Sequence, residues 1–239
     1  MARTYLHQPY TNSVVDQEWT NDVTNVVVRY IGWNGTYIQP KVSGIVFDKT
    51  AGHGIQVDNV TPTYPWVDLL GHITVDEAAA SNKPTFTTYN GSIKQYRFAV
   101  NDQIYINYHI PHDYLPGSDM FVHTHWSSID NSLGDVTWAL DVSYASGHQV
   151  GTFTSPKTVL CSGSFISPLK HMVNESPLSS VGGSASTLDT NLIEVDGVIL
   201  IRAKLQSNSM SSSPFLHFID IHYQSTGIGT KNKTPNFYG

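Results

Sequence analysis

Residues 136–145 read VTWALDVSYA, and their strict alternation establishes what kind of fold this chain takes. Val136, Trp138, Leu140, Val142 and Tyr144 fall on one face while Thr137, Ala139, Asp141 and Ser143 fall on the other, which is the period of two of a half-buried strand. Similar β-branched and aromatic runs, bounded by turn residues, recur at residues 26–31, 44–47, 95–100, 104–110, 121–127, 151–153, 158–164, 192–195, 198–205 and 215–224. Helical character is confined to three short segments, residues 14–22, 75–82 and 168–174. In FLHFIDIHYQ (215–224) both faces are at least half apolar, so this strand is expected between two layers. Asp196-Gly197 tolerates positive φ and is expected to close an antiparallel hairpin between residues 192–195 and 198–205. The pattern predicts an all-β chain, an antiparallel β-sandwich of jelly-roll type with a smaller N-terminal β element.

Composition shifts divide the chain into an N-terminal β anchor element (1–70), a linker (71–92), the sandwich (93–224) and a C-terminal arm (225–239). Pro62, Pro65 and Pro84 each push the preceding residue toward extended backbone, which suits a linker. Trp126, Trp138, Tyr144 and Phe218 are expected in the core. The loops SSVGGSAST (179–187) and QSNSMSSSP (206–214) are too poor in apolar residues to pack alone and are expected to be mobile or held by a partner. The arm ends in Pro235, Asn236, Phe237 and Tyr238 after Lys231 and Lys233; these two lysines and two aromatics are expected to contact a neighbouring subunit.

Charged residues make up 13% of the chain, about half the usual share. A formal net charge of −6 argues against a nucleic-acid partner, which needs basic stripes to neutralise phosphates. No run is long and apolar enough for a membrane helix and no signal-peptide core opens the chain, so no membrane partner is expected and folding in a cytoplasm is. The single cysteine, Cys161, excludes an intrachain disulfide and is expected to be a small buried hydrophobe.

The chemistry concentrates in IYINYHIPHDYLPGSDMFVHTHW (104–126), which holds four of the eleven histidines. Alternation puts His123 and His125 on one strand face with Phe121, and Val122, Thr124 and Trp126 on the other. The spacing G-x5-H-x-H from Gly117 to His125 resembles the opening of the first cupin motif, where two histidines of one strand ligate a metal. Asp130 stands where that motif usually has Glu; the second motif is missing, so further ligands would come from His171, Asn174, Asp220 or His222. Three readings follow: histidines hydrogen-bonded within a β-core, a metal held at His123 and His125 for structure, or a cupin-like metalloenzyme. The crowded Asp113, Asp119, Asp130, Asp135 and Asp141 are explained as turn and solvated residues. No nucleophile elbow, phosphate loop or dinucleotide fingerprint is present.

The phrases PHDYLPGSDMFVHTHWS, VTWALDVSYASGH, LIEVDGVILIRAKL and IDIHYQSTGIGTKNKTPNFYG together resemble a family of structural proteins of tailed bacteriophages, especially marine podovirus-like ones, over about residues 60–239. The resemblance implies a virion component, most simply a capsid decoration, cement or head-spike subunit. Such a subunit would assemble as a homo-oligomer, a trimer being favoured, on a major capsid protein or another virion protein, without enzymatic activity or cofactor. A tail-associated or glycan-binding virion protein is the alternative within that class.

Overall fold

A computed structural model describes residues 64–237, apart from residues 80, 132, 148–150 and 228, and before them only the backbone of short strands between residues 4 and 40. The chain divides into two units, Met1–Asn59 and Val60–Gly239. In the first, β1 (Thr4–Leu6), β2 (Val14–Val15), β3 (Gln17–Thr20), β4 (Val27–Val28), β5 (Ile31–Trp33) and β6 (Ile38–Pro40) pair as two small sheets, β1-β3-β4 and β2-β5-β6. Strands β2 and β3 occupy the stretch expected to be helical at residues 14–22. The strand expected at residues 44–47 lies outside the described residues, and so does Tyr238.

The second unit is an all-β sandwich of two antiparallel sheets. Its strands are β7 (Trp66–Leu70), β8 (His72–Thr74), β9 (Thr85–Asn90), β10 (Ile93–Arg97), β11 (Gln103–His109), β12 (Phe121–Ser127), β13 (Asp135–Ala145), β14 (Lys157–Ser164), β15 (Met172–Pro177), β16 (Ser179–Ser180), β17 (Leu188–Asp189), β18 (Val198–Asn208) and β19 (Phe215–Gln224). One sheet runs β15-β12-β19-β10-β9, with β7 also paired to β19; the other runs β14-β13-β18-β11-β8. Between them lies a single apolar core that joins Val122, Trp126 and Ile219 of the first sheet to Trp138, Leu140 and Ile201 of the second. The inward residues of β13 are all buried, as their alternation requires. Cys161 is fully buried in this core, and burial pushes its thiol up to about 11.

Several expectations give way to pairing that local composition does not show. The sandwich starts well before residue 93: β7 pairs with β19, β8 with β11 and β9 with β10, so the stretch expected as a linker at 71–92 contributes β8 and β9 to the two sheets. The prolines at 65 and 84 stand just before strands rather than inside them, where a missing N–H costs no ladder bond. The described residues of 75–82 form a turn and bends rather than helix, and Met172–Pro177, where a helix was expected from residue 168, pairs with β12 as β15. Asp196-Gly197 does not close a hairpin. Residues 190–192 form a 3-10 turn, and Asp196, at φ 65°, hands its N–H to Ile110 while Ile110 donates to the Gly197 carbonyl.

The loop at 179–187 is held by its own chain. Lys157 donates to the carbonyls of Ser184 at 2.6 Å and Thr187 at 2.7 Å, and the hydroxyls of Ser180, Ser184 and Thr187 bond one another. At the sandwich edge β14 and β15 approach so closely that a Cβ on Gly163 would lie 1.9 Å from Asn174 Nδ2. Glycine there lets Asn174 accept from the indole N–H of Trp126 at 2.5 Å, satisfying a donor that is fully buried.

Candidate functional site

Strand register, rather than sequence spacing, brings the chemistry together on the outer face of the first sheet. In β12, Val122, Thr124 and Trp126 face the core, which leaves Phe121, His123 and His125 on the other side. Directly across from His123 stand Glu175 of β15 and Asp220 of β19. One row along the sheet, Phe121 is opposite His222, and His222 is opposite Asp68 of β7. In the row on the other side, His125 is flanked by Val173 and Phe218.

Phe218 is therefore not an inter-sheet core residue. Trp126 pairs with Leu216 but His125 with Phe218, so His217 is an extra residue, a β-bulge. The bulge moves Phe218 onto the outer face, where its ring stacks on His125 at 4.0 Å between centroids. Of the other expected core residues, Trp126 and Trp138 are fully buried and Tyr144 is 4% exposed, its hydroxyl accepting from the Glu194 N–H.

The distances define a compact imidazole–carboxylate cluster. His123 Nε2 stands 2.6 Å from Glu175 Oε2, and His125 Nε2 stands 3.1 Å from Asp220 Oδ1. His123 Nδ1 is 3.7 Å from the same Asp220 oxygen, and His222 Nε2 is 3.8 Å from Asp220 Oδ2 and 2.5 Å from Asp68 Oδ1. On the far side His125 Nδ1 meets His171 Nε2 at 2.8 Å, and His217 bonds the Ser127 hydroxyl at 2.8 Å. Burial, reinforced by His125 beside it, holds His171 below the ordinary imidazole range; burial and the rings of His171 and His125 do the same for His217.

Among the described residues three sets of side chains could each hold a cation: His123 with His125 and Asp220, His123 with Glu175 and His222, and Asp68 with Asp220 and His222. The expected pair His123 and His125 does converge, with both rings on one spot. Asp130, the expected acidic ligand, does not: it is exposed on the turn after β12, its N–H bonded to Ser128. Asn174 is committed to Trp126 instead. Sequence reasoning missed Glu175, Asp68 and His217. The signal that finds Glu175 and Asp68 is cross-strand register, which is available only once β15 and β7 are recognised as strands.

Beside the cluster, Trp66, Phe121, Glu175 and His222 line a cleft of ≈ 290 Å³, with the Trp66 and Phe121 rings edge to face at 5.5 Å. The outer face of the second sheet carries a broader hollow of ≈ 530 Å³ lined by Tyr105, Asn107, Asp141, Leu200, Arg202 and their neighbours. Near the end of β11 a second histidine pair meets one carboxylate: His109 Nε2 is 2.8 Å and His112 Nε2 3.9 Å from Asp196 Oδ1. His112 also reaches the arm, with Nδ1 2.5 Å from the Thr230 hydroxyl and its ring edge to face with Phe237. Phe237, 9% exposed, thus packs within its own chain. Lys231 and Lys233 are exposed.

No family model and no curated protein matches this chain. Among solved structures it is similar to the CBM22-1–GH10 modules of the Clostridium thermocellum endo-1,4-beta-D-xylanase 10B complexed with xylohexaose, at 13% identity and a TM-score of 0.29. The match covers 70% of this chain and 27% of that one.

Proposed function

We propose that this chain is a structural subunit of a tailed-bacteriophage particle, a capsid decoration, cement or head-spike protein without catalytic activity. One observation carries the reading: the phrases behind the family resemblance supply β12 and most of β13, β18 and β19, which are neighbouring interior strands of the two sheets, together with the arm that follows. The resemblance therefore spans one folding unit rather than scattered surface motifs. The sandwich itself is read as a jelly roll. Counting β10 to β15, β18 and β19 as one to eight, the sheets run six-three-eight-one and five-four-seven-two, so most successive strands alternate between layers. Low charge and a surface rich in Ser, Thr, Asn and Gly suit a subunit that mostly meets copies of itself or a shell. In this reading the subunits form a homo-oligomer, with a trimer as the favoured state, on a capsid or other virion protein.

Electron microscopy of particles assembled with and without the protein tests the position. Heads that lack a surface feature in its absence support the proposal; normal heads beside a missing tail feature move the protein to the tail. Particles identical in both regions would overturn it. The hollow on the second sheet favours one variant of this reading, a glycan-binding virion protein, because an exposed tyrosine beside Asn107, Asp141 and Arg202 offers the ring and the hydrogen-bonding groups that sugars need. A glycan array with no hit that Tyr105→Ala abolishes would remove that variant.

A further inference from the structure

Asp220 is 2% exposed, and among the described residues every ion-pair partner of its carboxylate is a histidine. A carboxylate withdrawn this far from water needs a compensating positive charge. Neutral imidazoles do not supply one.

The hydrogen bond on the far side of the His123 ring fixes which of its nitrogens is free. His123 Nε2 lies 2.6 Å from the Glu175 carboxylate, which only accepts, so Nε2 carries the hydrogen. In the neutral ring Nδ1 then presents its lone pair to Asp220 Oδ1 at 3.7 Å. A lone pair facing a carboxylate oxygen is repulsive unless a cation stands between them. His125 has two tautomers open to it, because His171 Nε2 can accept or donate; in the one that donates Nδ1–H to His171, the Nε2 lone pair faces the same Asp220 oxygen at 3.1 Å.

Three electron-pair donors therefore converge within 4.8 Å of one another, and all three residues are buried. Ligands about 2.0–2.2 Å from a tetrahedral ion stand roughly 3.3–3.6 Å apart. The two nitrogen–oxygen separations, 3.1 and 3.7 Å, bracket that span.

We propose that His123 Nδ1, His125 Nε2 and Asp220 Oδ1 bind one divalent transition-metal ion, with a further coordination position open to water. Two imidazoles and one carboxylate select zinc, cobalt, nickel or iron over calcium and magnesium, which prefer all-oxygen sites. Glu175 and His171 are positioning residues: each takes up the second ring nitrogen of a ligand and so fixes its tautomer and orientation. The ion ties β12 to β19 on the outer face of the sheet, not inside a barrel as in the cupin arrangement. The inference is independent of the particle role, since such a clip would serve a structural subunit and a catalyst alike.

The test is titration of the full-length chain with Co²⁺ and Zn²⁺ after chelator treatment, followed by calorimetry and by the visible spectrum of bound cobalt. One ion per chain is expected, with cobalt bands of low-coordinate nitrogen and oxygen ligation. Asp220→Asn should weaken binding by about 100-fold or more, and Glu175→Gln by about 10–100-fold, the usual effect of a group that orients a ligand. His109→Ala, on the other sheet, should bind as the unaltered protein does. Absence of binding to the unaltered protein at tens of micromolar overturns the proposal without any variant. So does undiminished binding by Asp220→Asn; if that variant fails to fold, His123→Gln takes its place in the comparison.

Discussion

At Trp138 burial and hydrogen bonding pull in opposite directions. The side chain is fully buried and packs edge to face on Phe98 at 5.1 Å, yet its Nε1 has no hydrogen-bond partner among the described residues. Truncating a buried aromatic to alanine costs about 3–5 kcal/mol, and a domain has only ~5–15 kcal/mol to lose. Trp138→Ala is therefore expected to give insoluble or partly unfolded protein. Trp138→Phe should behave differently, because it keeps most of the ring and removes a buried donor whose lack of a partner costs about 1–3 kcal/mol. Urea unfolding of the three proteins checks this; soluble Trp138→Ala with an unchanged midpoint would mean that Trp138 does not support the core. Trp126 is the contrasting case, since Asn174 accepts its indole N–H, and there loss of the partner adds a second vulnerability to loss of the ring.

At the scale of the element, the bulge in β19 makes a sharp distinction between two single-residue deletions. His217 is the extra residue opposite the His125–Trp126 step, so removing it should restore a regular ladder with Leu216 still inward and Asp220 still outward. Deleting Ile219 instead shifts register within the regular part and exchanges the faces of Asp220, Ile221 and His222. The first deletion is expected to melt cooperatively with the circular dichroism of the full chain, and the second to fail to fold. Equal behaviour of the two would place the irregularity elsewhere. This bulge also marks where sequence reading stopped working. The bounds of β12 and β19 were legible because apolar residues alternate through them, but alternation carried across residues 215–224 puts Phe218 with Leu216 and misses the slip. Strands β7 to β9 were hidden by prolines and polar residues; their partners lie far away in the chain. The candidate site shares that limit: His123 and His125 were legible as neighbours on one strand face, and Asp220 and His222 only as possible contributors. Their convergence, and the roles of Glu175 and Asp68, depend on cross-strand register that no local pattern encodes.

At the scale of the whole molecule, the arm belongs to the sandwich unit, Val60–Gly239. The Phe237 carbonyl accepts from the Asn232 N–H, so the tail curls on itself, and Phe237 then covers the edge of the His112 ring while Thr230 bonds its Nδ1. The tail's preceding stretch is fastened too: Asp113 accepts from the hydroxyls of Tyr223 and Ser225, and burial together with that carboxylate pushes Tyr223 up to about 12. Burying one phenylalanine contributes roughly 1.5–3 kcal/mol. Deleting residues 230–239 is therefore expected to lower the stability of the isolated chain by about that amount, measurable as a reduced urea midpoint in dilute solution. An arm that serves only contacts between subunits predicts something else: an unchanged midpoint in the dilute chain and a loss confined to assembly, read by sedimentation velocity at high concentration. Because Phe237 already meets His112 within its own chain, the stability loss should appear first. If assembly weakens as well, exposed groups of the arm, rather than the buried ring, make the contact between subunits.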